Sequence, residues 1–189
     1  MSLKSLKNGA AALVAALSSS AVFAADGDGR YAPDVPGSVP CANVASYDRD
    51  SEQTKVLAAF ASGYISAHSK LTEGVYDMTP WETPEFVMLQ ARRFCEANPE
   101  RRFTEALDAY VRFLEPNAIT QAQNTRPVTN GGQTVLLYQA TIDKARARLD
   151  ALGFAGDDGL EGLAAFQAER GLPVTGLPDQ ATLALLFSE

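Results

Sequence analysis

The chain has 189 residues, a formal net charge of −7, 46% hydrophobic residues, one histidine and two cysteines. That length can bury one or two small cores, and its acidity leaves no footprint for a nucleic-acid backbone or an anionic membrane surface. One histidine and two cysteines are too few for a zinc or Cys–His catalytic constellation of the usual kind.

The first residues have the layout of a targeting segment. Lys4 and Lys7 form a positive start, an Ala- and Leu-rich run follows from Ala10 to Leu17, and Val22-Phe23-Ala24 offers the small residues that a signal peptidase reads. Cleavage is expected before Ala25, leaving a net charge of about −9 and a periplasmic protein. The apolar run is too short and too serine-broken for a bilayer core of roughly 30 Å, so no integral membrane segment is expected after cleavage. In an oxidising compartment Cys41 and Cys95 are expected to pair. Closing a loop of about 55 residues would stabilise the fold by roughly 4 kcal/mol in the chain-entropy estimate.

Residues 25–40, rich in Gly, Asp and Pro, read as an extended leader. A first helix is expected from Asp50 or Ser51, where Asp50 and Gln53 have capping-box spacing and Val56, Leu57, Phe60 and Tyr64 share a face. A second starts at Thr83-Pro84-Glu85, with Thr83 as N-cap and Pro84 in the first turn, and stops at Asn98-Pro99. A third begins near Thr104, carries Leu107, Tyr110, Val111 and Leu114, and ends at Pro116. Residues 115–133 read as a polar linker. Beyond them, Ile142, Ala145, Leu149 and Leu152 mark a helix closed by Gly153 with Phe154 behind it. A shorter helix runs from Gly159 or Leu160 to Arg170, and a last one starts at Pro178 or Asp179.

The second half resembles the three-helix peptidoglycan-binding domain attached to cell-wall hydrolases and other envelope proteins. The pattern is carried by Leu149-Asp150-Ala151-Leu152-Gly153-Phe154, Asp158-Gly159, Ala165-Phe166-Gln167, Gly171-Leu172-Pro173-Val174-Thr175-Gly176, and Asp179 with Thr182. The resemblance covers about 50 residues and marks Asp158, Gly159, Phe166, Gln167, Gly176, Asp179 and Thr182 as candidate ligand or motif positions, with peptidoglycan as the implied partner. One departure is plain. Six residues separate Gly159 from Phe166, roughly five fewer than the family pattern, in the stretch that lengthens the middle helix and shapes the glycan groove.

The first half is similar to the HdeA/HdeB acid-stress chaperone family. Cys41, Phe60-Ala61-Ser62-Gly63-Tyr64, Thr83-Pro84, Phe94-Cys95-Glu96-Ala97-Asn98-Pro99 and Phe103 to Ala106 carry that likeness, over about 75 residues. It implies periplasmic proteins as partners.

No pattern calls for a catalytic group, cofactor or metal. His68 reads as a cation near a helix C-terminus, Asp157-Asp158 as a helix cap, and Glu96, Glu100 and Glu105 as a solvated surface. Trp81 is either an exposed ligand platform or an anchor at a core edge. The expected fold is all-α, a small disulfide-bonded helical domain (41–114) followed by a three-helix peptidoglycan-binding-like domain (134–189). The expected function is a non-catalytic periplasmic protein held at peptidoglycan by its C-terminal domain, the alternatives being an acid-stress chaperone or a protein-docking module.

Overall fold

A computed structural model of the chain describes Asp26, residues 30–154, Gly156 and residues 160–188. It divides into two units, Met1–Ala32 and Pro33–Glu189. In the first, the Arg30 backbone N–H and guanidinium both donate to the Asp26 carboxylate. The targeting segment 1–24 and the candidate positions Asp158 and Gly159 lie outside the described residues.

The second unit begins with α1 (Cys41–Ser46), a short helix inside the stretch between the leader and the first expected helix. Its first residue is disulfide-bonded to Cys95 across 54 positions of sequence. Arg92 donates to the carbonyls of Ala45 and Tyr47 and so closes the C-terminal end of α1. The long α2 (Glu52–Leu71) is capped by Ser51, whose hydroxyl accepts the Thr54 N–H, one residue on from the Asp50 spacing read in the sequence. Its neighbour α3 (Pro84–Ala97) starts at Thr83, whose hydroxyl accepts the Phe86 N–H, with Pro84 where its missing N–H leaves no bond unmade. After α4 (Phe103–Leu114) comes a 3-10 turn at Glu115–Asn117. These helices surround a core of Leu57, Ile65, Met78, Ala91, Phe103 and Leu107 that includes the buried disulfide.

An all-α fold is not what forms. Thr125–Asn130 (β1) and Gln133–Tyr138 (β2) make a two-stranded antiparallel hairpin, with Asn130 opposite Gln133 and Thr125 opposite Tyr138. Gly131 and Gly132 both have positive φ (55° and 78°), the requirement of a two-residue type I′ turn whose twist matches its strands. Val135 and Leu137, with Val128 opposite Val135, turn one face toward the second core. Pro127 lies on the unpaired side of β1, where a proline costs no ladder bond. Polar composition marks 115–133 as a linker, but Gly131-Gly132 between segments that hold Val128 and Val135 is itself a hairpin signal. The stretch before it is also held: Ile119 is buried, accepts the N–H groups of Tyr76 and Asp77 and donates to the Asp77 carbonyl.

The remaining helices are α5 (Gln139–Ala151), α6 (Gly162–Glu169) and α7 (Gln180–Leu186). Gly153, at φ 83°, ends α5, and the Phe154 N–H returns to the Leu149 carbonyl. Gly162 has no room for a side chain, since a Cβ there would lie 1.6 Å from the Phe154 carbonyl oxygen. With the hairpin these helices enclose a second core of Leu137, Ile142, Leu149, Leu163, Phe166 and Leu183.

Candidate functional site

The described motif residues of the C-terminal half come together, but they face inward. Phe166 and Gln167 are both 0% exposed on α6. The Gln167 amide nitrogen donates toward the Leu177 carbonyl (3.0 Å) and the hydroxyls of Thr175 (2.9 Å) and Thr182 (2.8 Å), while its oxygen accepts the Gly176 N–H (2.8 Å). Both hydroxyls in turn donate to Asp179, whose carboxylate also accepts the Thr182 N–H and caps α7. Gly176, at φ 61°, is pressed against the hairpin, and a Cβ there would stand 2.6 Å from Asn130 Nδ2. That asparagine donates to the Thr175 carbonyl. Gln167 and Thr182, buried, and Gly176 and Asp179, half-buried, are therefore one latch fixing the turn before α7, and Phe166 is the core it closes over. As placed, they hold the fold and leave little polar capacity for a ligand.

The more open chemistry lies where the two cores meet. Trp81 packs on Phe86 and Phe187 with centroids 5.4 Å away in each case, so it anchors the junction. It also lines a cleft of about 330 Å³ between the loop around Pro80, the residues after α4 and the first turn of α5. Lys144 reaches into this region from α5. Its ammonium donates to Asn117 Oδ1 at 2.9 Å and lies 4.7 Å from the centroid of the Phe187 ring. Partial desolvation lowers its pKa, and the nearby Glu82 charge opposes that. Gln123 accepts the Ala140 N–H, and Thr83 donates to Gln180 across the same junction.

Glu82 is the most perturbed acid of the region. Burial raises its carboxyl from 4.5 to about 7, against the lowering effect of its own and the Trp81 N–H groups; Asp77 raises it further and Lys144 lowers it. Burial likewise pushes the phenols of Tyr110 and Tyr138 up, aided by the charge of Glu82 at the first and by Asp77 at the second.

Comparison with protein-family models, curated proteins and solved structures finds no match.

Among the described residues no three His, Cys, Asp or Glu side chains gather in a metal-binding group, and no helix is long and apolar enough to cross a membrane. His68 sits in the last turn of α2 with its ring 4.9 Å from Tyr64. Glu96 and Glu100 are exposed, and Glu105 is held below the usual carboxylate range by the Arg102 N–H and by Arg101. Of the cleft residues only Trp81 stands out in the sequence, and its packing is that of an anchor at a core edge. Asn117, Gln123, Thr141 and Lys144 carry no motif; what unites them is the packing of the hairpin and α5 against the first core.

Proposed function

We propose that this is a non-catalytic, exported protein that localises to peptidoglycan through its C-terminal half. The observation that carries the reading is the C-terminal sequence pattern, because its described motif residues act together as one folding device and not as scattered coincidences. The internal placement of that device leaves any glycan contact to surface residues around it. The cysteine-framed first half then supplies a structural or protein-binding role.

Sedimentation with purified sacculi at neutral pH tests the reading. Ending a comparison chain at Gln133 would split the hairpin, so it should end at Asn124, before β1. The mature chain is expected to co-sediment and the shortened one to remain in solution. Failure of the mature chain to sediment would remove the proposal.

A further inference from the structure

The cleft beside Trp81 has the parts of a carboxylate site, and three independent features point the same way. The first is the start of α5, a helix of 13 residues whose N-cap, Tyr138, makes no side-chain cap bond and whose first turn holds no acidic residue. Its positive dipole end is thus uncompensated by charge, although Gln123 takes the Ala140 N–H. The second is Thr141, which lines the cleft, is only 4% exposed, and makes no side-chain hydrogen bond among the described residues. Its hydroxyl is not sealed off from solvent, so a group bound in the cleft can use the bonding capacity it leaves open. The third is Lys144, one helical turn after Ala140 on the same cleft wall. Its ammonium forms no ion pair among the described residues, and the Asn117 bond occupies one of its three donors. Glu82 and Asp77 are the acids that act on this region, and the Glu82 carboxyl already accepts N–H groups of its own loop.

We propose that this cleft binds the carboxylate of a small, partly apolar molecule of the acylated amino-acid or short-peptide class. The carboxylate would sit at the first turn of α5 against Thr141 and Lys144. The apolar part would lie along Pro80, Trp81 and Ile119, which line the same cavity. A volume of about 330 Å³ is at the small end of ligand pockets and suits a dipeptide-sized group. The amides of Asn117, Gln121 and Gln123 on the remaining wall match the peptide groups of such a molecule.

Trp81 is the single tryptophan of the chain, so its emission reports directly on the cleft. The experiment titrates the full mature chain with N-acetyl-alanyl-alanine and, separately, with its C-terminal amide, following Trp81 emission and the backbone amide shifts of Ala140 and Thr141. The acid is expected to give a saturable response at both probes and to bind at least about tenfold more tightly than the amide, as loss of a charge-assisted bond requires. Lys144→Met should remove that preference while Lys144→Arg keeps it, with thermal unfolding showing both variants folded. Equal binding of acid and amide, or no saturable response to the acid, would overturn the proposal. So would retention of the preference in a folded Lys144→Met.

Discussion

Glu82 shows how a single side chain ties the junction to pH. Its folded carboxyl titrates near 7 because burial opposes its charge, whereas in the unfolded chain the same group ionises near 4.5. Between those values the folded state keeps a proton that the unfolded state has released, so stability falls as pH rises through that window. Below about pH 4.5 both states are protonated and the group is neutral in its effect; above about pH 7 the penalty is complete. Replacing Glu82 by Gln removes the titration and keeps the shape. Glu82→Gln should therefore be more stable than the parent at pH 8 by about 1–2 kcal/mol, a figure reduced for the residue's partial exposure, and similar to it at pH 4. Urea unfolding at the two pH values measures this, and an equal difference at both would show that the carboxyl is not buried as described. The same residue bears on acid behaviour. Protonation of Glu82 tightens the junction, so any opening in acid has to originate elsewhere in the chain.

At the level of elements, the hairpin is the part whose sequence and structure diverge most, and its turn is a clean place to test why. Gly131 has φ 55° and nothing within 4 Å of an added Cβ, so a side chain there meets backbone strain and no collision. Gly131→Val should destabilise by about 1 kcal/mol or more, while Gly131→Asn should be nearly neutral, because asparagine tolerates the left-handed region that β-branched residues avoid. Chemical denaturation of both variants checks the order, and equal effects would mean that the turn does not require positive φ. The helices were largely legible because their signals are local: Thr83-Pro84 and Asp179 are caps, and Gly153 is a C-cap with a positive φ of 83°. The hairpin was hidden because its first strand holds little that is apolar besides Val128 and reads by composition as linker, while its second strand falls at the start of the C-terminal unit, ahead of the helical pattern. The helix α1 escaped for another reason. At six residues it is too short for periodicity and depends on the disulfide and on Arg92. The cleft was illegible in principle, since Trp81, Thr141 and Lys144 share no local pattern and meet only through tertiary packing.

For the whole molecule, the decisive feature is that two separate cores meet through few groups. Trp81 makes aromatic contact on both sides of the junction, lying between Phe86 of α3 and Phe187 just beyond α7. Polar ties from Thr83 to Gln180, Lys144 to Asn117 and Ala140 to Gln123 surround it, with Tyr76 against Tyr138 at one edge. The second core is the weaker partner. Its helices α6 and α7 have eight and seven residues, and no disulfide joins its described residues, whereas the first core holds the Cys41–Cys95 bond. Three short helices and a hairpin are close to the lower limit for independent stability, so the second core should depend on its neighbour. Trp81→Ala would remove about 2–3 kcal/mol of partly buried aromatic packing, and that loss falls mainly on the coupling between the cores. The parent is expected to unfold in one calorimetric transition and Trp81→Ala in two, the earlier one belonging to the hairpin and α5 to α7. Amide exchange would identify which segment opens first, through faster exchange at Leu149 and Leu183 than at Leu57 and Leu107. A single undivided transition in Trp81→Ala would show that the polar ties alone suffice to join the two cores.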